Sequence, residues 1–201
     1  MSDNSSNQDL PDLSGSRAIL DTNIFISKRK DAHSFLRAIG NPEVFHTEII
    51  FKELLDVSKR YGLDEEEVFR QVNELFHTFG STMLPKTGKP RKIARRISGI
   101  LKLAGLQKEK VKEEKNDTLI VAYAVISGID VVTRDALFYV IGKIFTTGIT
   151  VHLVYEKLPD AWSQQMKTRL KKKGIKTPVD LTHLIDKRKK QHTPRKEAEE
   201  K

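Results

Sequence analysis

A three-layer α/β fold with a central parallel sheet is the architecture this sequence predicts, and three features predict it. Ala18-Ile19-Leu20, Val44-Phe45-His46, Val131-Val132-Thr133 and Ile149 to Val154 are short apolar runs of strand length. The segments between them carry apolar residues at helical spacing. The strands read as continuous apolar runs, not as alternating ones, which suits parallel strands covered on both faces. The alternation runs from residue 17 to about 155.

The elements follow in order. Residues 1–15 hold Ser, Asn, Asp and Gln with two leucines, too little apolar surface to order themselves, so they read as a disordered leader. The first strand ends in Asp21-Thr22-Asn23, a polar turn. Residues 31–39 form a helix with Phe35, Leu36 and Ile39 on one face, stopped by Gly40-Asn41-Pro42. After the second strand, Thr47 caps a helix to about residue 60, with Ile50, Leu54 and Val57 aligned. Leu63 to Glu67 opens another, its acids near the positive end of the helix dipole and Val68, Val72, Leu75, Phe76 and Phe79 on its inner side. Residues 85–92 form a basic loop, and Lys92 to Leu103 a basic amphipathic helix. Asn116-Asp117-Thr118 caps an apolar helix, Leu119 to Ser127, that Gly128 ends. Residues 136–147 are helical up to Gly148. Beyond Pro159, Trp162, Met166 and Leu170 fall four apart, a helical stripe that docks on the core. Thr177-Pro178 starts a last helix. The expected division is a leader (1–15), a folded domain (16–157, with a basic insertion at 86–115) and a basic helical extension and tail (158–201). Removal of residues 158–201 is expected to leave the core standing.

Among 201 residues the net charge is +9, and it is unevenly spread. Residues 86–115 carry +8 and residues 157–201 carry +8, while the apolar remainder is mildly acidic. Two basic arms on an acidic core point to a polyanionic partner. Cysteine is absent, which excludes disulfides, Cys-ligated zinc, iron–sulfur clusters and thiol catalysis, and suits a cytoplasmic protein. The longest apolar run, Leu119 to Ile126, is far short of the ~20 residues a membrane span needs, and the polar N-terminus is no secretory signal. Thr87-Gly88-Lys89 lacks the Ser or Thr of a phosphate-binding loop, and the six histidines show no metal spacing.

The chemistry lies in the acids. Asp21 and Asp135 each follow a buried strand, and ligands of open parallel sheets bind beyond the carboxyl ends of their strands. Asp117 starts the helix that leads into the Asp135 strand, so it returns to the same edge. Glu53 lies one turn into the helix after the second strand and reaches that edge if the strand is parallel. Four clustered carboxylates repel, and a cation offsets them. Oxygen-only donors favour Mg²⁺ or Mn²⁺ over zinc.

Four blocks place these acids in a familiar order. They are Ile19 to Asn23, Phe51 to Leu55, Asn116 to Ala124 and Val132 to Phe138. In this order they resemble the PIN-domain nucleases: an Asp-Thr-Asn after the first strand, a Glu-Leu on a middle helix, an Asp opening an Ala-rich helix, and a Thr-Arg-Asp before a Phe. Glu48 competes with Glu53 for the second position. The resemblance implies an endoribonuclease that depends on one or two divalent ions. It implies Asp21, Glu53, Asp117 and Asp135 as the acidic cluster, with Asp21, Asp117 and Asp135 on metal, and Asn23 and Thr133 supporting the site. RNA is the implied partner; a protein antitoxin, a ribonucleoprotein and a second copy of the chain are the others. Lys86, Lys89, Arg91, Lys92, Arg95 and Arg96, then Lys171, Lys172 and Lys173, are the expected RNA contacts. The long basic insertion and the basic extension set the chain apart from the small toxin members. They favour RNA processing over the toxin role; the protein-only RNase P group also has an insertion between the Glu and the second Asp, but its other sequence hallmarks are not evident here, so that kinship ranks lower. From another class, a catalytically silent RNA-binding or assembly module is the rival.

Overall fold

The computed structural model describes residues 10–60, 62–85, 90–105, 111–154 and 160–182, with only the backbone of 111–115 and 160. Strand β1 (Arg17–Leu20) is followed by helix α1 (Thr22–Ser27), a turn of 3-10 helix (Arg29–Asp31), α2 (Ala32–Ala38) and β2 (Glu43–His46). Then come α3 (Glu48–Lys59), α4 (Glu65–Thr78), β3 (Thr82–Met83), α5 (Pro90–Leu103) and α6 (Val111–Ser127). The chain continues through β4 (Asp130–Thr133), α7 (Ala136–Ile144), β5 (Phe145–Thr146), β6 (Val151–Leu153), α8 (Asp160–Lys172) and β7 (Val179–Asp180).

The main sheet has five parallel strands in the order β3-β2-β1-β4-β6. From β1 the chain winds outward to β2 and β3, and later returns to place β4 on the other side of β1. The strand order therefore reverses between β1 and β4, the switch point at which such sheets leave a crevice. Leu20 pairs with Val132 there, and the Asp21 amide donates to the Val132 carbonyl at 2.9 Å. The sheet core is fully buried: Ala18, Ile19, Leu20, Val131 and Val132 have no exposed surface. This is the α/β architecture that the strand and helix pattern predicts.

Several elements differ from expectation for physical reasons. Residues 10–15 are not a free leader: Leu13 is buried in the core and its amide donates to the Ile39 carbonyl at 2.9 Å. Gly40 (φ +85°) makes room for that segment, because a Cβ there would strike Ser14. Residues 1–9 lie outside the described residues, as do Lys86 to Lys89 of the expected basic loop; its remainder from Pro90 onward belongs to α5. Asp21-Thr22-Asn23 is not a plain turn but the start of α1, capped by the Asp21 side chain. Helix α6 begins at Val111, so Asn116, Asp117 and Thr118 are inside a helix and not at its cap. The Lys- and Glu-rich run before them is a good helix former. Helix α7 ends at Ile144, because Phe145 and Thr146 pair with Val179 and Asp180. That same pairing makes the residues after Thr177-Pro178 a strand, not a helix. The late basic stretch 187–190 lies outside the described residues.

The extension is tied to the core. Met166 and Leu170 of α8 and Leu181 after β7 are buried in the same apolar cluster as the sheet, and Trp162 packs against it. Cutting at residue 158 removes all of these contacts, so the core is not expected to stand unchanged without them. We predict that Leu170→Ala lowers stability by roughly 2–5 kcal/mol, the range for emptying a fully buried leucine site. Urea denaturation checks this; a midpoint equal to that of the wild type would mean that α8 does not pack on the core in solution.

Candidate functional site

The carboxyl ends of β1 and β4 meet at the switch point, and the polar residues that follow them meet with them. Asp21 leaves β1 as the N-cap of α1 and is only 3% exposed. Its Oδ1 accepts the Thr22 amide at 2.7 Å, and its Oδ2 accepts the Thr133 hydroxyl at 2.9 Å. Asn23 Nδ2 lies 3.4 Å from Oδ2, a long contact from an exposed side chain. Asp135 leaves β4 in the same way, as the N-cap of α7. Its Oδ1 accepts the Leu137 amide at 2.6 Å, and its own amide donates to Thr133 Oγ1 at 2.9 Å. Thr133 is fully buried and so joins both aspartates through one hydroxyl.

Glu53 reaches this edge from α3. Its Oε2 accepts the Thr22 hydroxyl at 2.5 Å and its Oε1 accepts Asn116 Nδ2 at 2.8 Å. The carboxylate is thus clamped between α1 and α6. Glu48, the competing acid, is paired instead with Lys52 on the same helix at 2.7 Å. Asp117 follows Asn116 in α6. It is partly buried, on a helix whose residues Ile120 to Val125 are all buried.

The electrostatics are uneven. Burial pushes Asp21 up to about 7, and the charges of Glu53 and Asp135 push the same way. The hydrogen bonds from Thr133 and from the Thr22 amide act against this without cancelling it. A buried aspartate that faces two further acids is a group that a cation would relieve, and the oxygen-only donors suit a hard one. Among the described residues no three Asp, Glu or His side chains are grouped tightly enough to hold a metal ion. Asp21, Glu53 and Asp135 each direct at least one oxygen to a neighbouring hydroxyl, amide or backbone N–H.

Beside Glu53 a cleft of about 800 Å³ opens between α3, α5 and α6. Arg91 and Arg95 line it, as do Lys52, Lys102 and Ser98. Lys92 and Arg96 are exposed on α5 but do not line it. Lys171, Lys172 and Lys173 are exposed at the end of α8, and Lys86 and Lys89 lie outside the described residues. On the other side of Asp135 a shallower hollow of about 400 Å³ is lined by Asn23, Ser27 and Arg134. Sequence reasoning missed Thr22 and Asn116. Both stand beside an acid in the motifs, but only the fold shows that they converge on Glu53.

Comparison with known proteins adds the following. The family model described as PIN domain matches residues 18–144. No curated protein matches the chain significantly. Among solved structures, a chain of VapBC2 from Rickettsia felis, bound to a DNA fragment from their promoter, is 19% identical with a TM-score of 0.47. That match covers 60% of this chain and 89% of the other. A chain of VapBC-1 from nontypeable Haemophilus influenzae is 19% identical (TM-score 0.45), over 61% of this chain and 89% of the other. A chain of VapBC-5 from Mycobacterium tuberculosis, of a family of toxin-antitoxin systems, is 20% identical (TM-score 0.47), over 71% and 99%.

The raised Asp21 has a consequence for stability. An ordinary aspartate releases its proton near pH 4, whereas folded Asp21 keeps its own to about pH 7. Between those values the folded chain holds a proton that the unfolded chain has lost. Stability therefore falls as pH rises through the window, and the penalty is complete above it. Asp21→Asn removes this dependence. Expected with chelator present is a variant more stable than wild type at pH 8, by roughly a few kcal/mol, with the gain vanishing towards pH 4. Urea melts across that range read it directly; a difference independent of pH would show that Asp21 titrates normally.

Proposed function

We propose, on the premise that this chain belongs to the PIN domain family, that it is a divalent-metal-dependent endoribonuclease acting in RNA processing. The family consists in general of metal-dependent nucleases. The observation that carries the finer reading is Asp21, a buried carboxylate at the switch point under the combined charge of Glu53 and Asp135. A structural aspartate in that position would be a liability; a ligand to a cation would not.

The carboxylates that would supply ligands to Mg²⁺ or Mn²⁺ are Asp21, Asp117 and Asp135, which would have to draw closer together than they stand in this structure. When bound, one or two such ions supply a water of lowered pKa and neutralise charge that builds on the phosphate. The chain's own residues do the rest. Thr133 holds Asp21 and the backbone of Asp135 in one arrangement, so the two carboxylates do not drift apart. Thr22 and Asn116 fix both oxygens of Glu53, which leaves that carboxylate oriented to take a proton from water. The core around the acids would repel RNA, and the basic residues of α5 and of the α8 terminus supply the attraction.

The test is cleavage of RNA by the full chain in Mn²⁺ or Mg²⁺, with and without chelator, for wild type and Asp21→Asn. Cleavage should stop with chelator, and Asp21→Asn should lower the rate on the order of a hundredfold or more while the variant still binds RNA. If Asp21→Asn cleaves as fast as the wild type, the catalytic reading is wrong. If neither protein cleaves but both bind, the chain is an RNA-binding module.

A further inference from the structure

A second cationic hollow stands apart from the cleft beside Glu53 and shares no lining residue with it. It is a groove of about 600 Å³ between α8 and the segment that follows that helix. Both walls lie beyond residues 18–144, the stretch that the PIN domain model covers. The α8 wall carries Gln164, Lys167, Thr168 and Lys171, which fall on one helix face by their spacing. Met166 and Leu170, on the other side of α8, are buried in the core and fix the helix.

The far wall is formed by Ile175, Lys176 and Thr177. It exists because the chain turns back at Gly174 (φ +73°). The Gly174 amide donates to the Lys171 carbonyl and the Ile175 amide to the Leu170 carbonyl, each at 3.0 Å, a helix ending that favours glycine. Beyond it, Val179 and Asp180 pair with Phe145 and Thr146, and Leu181 is fully buried. The groove is therefore held on both sides.

The chemistry of the lining is one-sided. Lys167, Lys171 and Lys176 supply three cations, and Gln164, Thr168 and Thr177 supply neutral hydrogen-bonding groups. Among the described residues no acid and no aromatic ring lines the groove. Cations in the last turn of a helix balance its dipole, which accounts for Lys171 and Lys172. It does not account for Lys167, a turn earlier, or for Lys176, past the helix end. Both nonetheless meet Lys171 at one hollow. Three cations with no acid among them suit phosphates. Without an aromatic platform they offer little to an unstacked base. Paired RNA matches such a lining, because proteins hold it through phosphates and 2′-hydroxyls and not through base faces.

Resting on the nuclease reading, we infer that the α8 groove is a second substrate site, which takes the backbone of a paired stretch of RNA while another part of the same molecule reaches the acids. Attachment at two points raises the local concentration of the cleavable stretch. The groove then acts on capture and not on the chemical step.

Fluorescence anisotropy of a labelled RNA duplex and of an oligouridylate of the same length tests this, on the full chain carrying Asp21→Asn so that the probes stay intact. Lys171→Gln with Lys176→Gln, both at exposed positions, should weaken duplex binding about tenfold. That pair should also flatten the salt slope by roughly 1.8, the double-helix value for two phosphates. Lys172→Gln with Lys173→Gln removes the same charge from residues outside the groove and should cost less than about threefold. Oligouridylate binding should change less than about threefold for either pair. Equal duplex losses for the two pairs would overturn the inference, because net charge alone would then account for binding. So would duplex binding that the groove pair leaves unchanged, or a loss of oligouridylate binding as large as that of the duplex. The two readings fail separately. With Asp21 restored, the groove pair should raise KM for a hairpin RNA with an unpaired tail about tenfold and leave kcat as it was. Cleavage with an unmoved KM sinks the groove alone. Binding that meets every expectation in a chain that never cleaves sinks the nuclease and leaves the groove.

Discussion

One buried hydroxyl ties the site together. Thr133 donates to Asp21 across 112 residues of sequence and accepts the Asp135 amide, so the ends of β1 and β4 are joined through a single side chain. Both strands are buried and adjacent, and Asp21 has little access to water. A hydrogen bond to a charged group in such a place contributes roughly 1.5–3 kcal/mol, and leaving the carboxylate without it would add to a burial cost that already dominates its titration. Everything else at the edge takes its position from this pair. Helix α1 starts at Asp21, helix α7 starts at Asp135, and Thr22 is delivered to Glu53 because α1 begins where it does.

The charge distribution follows the same logic in reverse. The sheet edge brings Asp21 under the charges of Glu53 and Asp135, while exposed lysines and arginines stand on α5 and at the end of α8. A carboxylate cluster alone would repel a polyanion, and a basic surface alone would hold one without acting on it. Lys52, Arg91, Arg95 and Lys102 share a cleft with Glu53. The division of the basic residues matters as much as their number. Arg91 and Arg95 look out over the cleft that ends at Glu53, while Lys92 and Arg96 on the same helix do not.

Much of the fold was legible because burial leaves strong periodic signals. Ala18 to Leu20, Val44 to His46 and Val131 to Thr133 are strands, short apolar runs of the kind that a sheet covered on both faces accommodates. Val68, Val72, Leu75 and Phe76 all lie inside α4, as their spacing requires. The elements that escaped are short or stabilised from a distance. Helix α1 has six residues, and β3, β5 and β7 have two each. Phe145 and Val179 are strand residues only because they find each other, 34 positions apart. The cap expected at Asn116 lies inside α6 because the charged run from Val111 to Lys115 continues the helix, and Lys and Glu are good helix formers.

The amino-acid order alone determined the parallel α/β class, the acids that follow β1 and β4, and the two basic segments, since each rests on local composition or on period. Only the tertiary structure decided which acid joins Asp21. The sequence favours Glu53 through its Glu-Leu block and leaves Glu48 as a competitor, and a difference of five residues turns the two to different sides of α3. Glu48 pairs with Lys52 on its own helix; Glu53 is met by Thr22 and Asn116 from two other helices. The same holds for the arginines of α5, which chain order makes alike and helix packing separates. Side-chain direction on a helix is local, but what stands opposite it belongs to the fold.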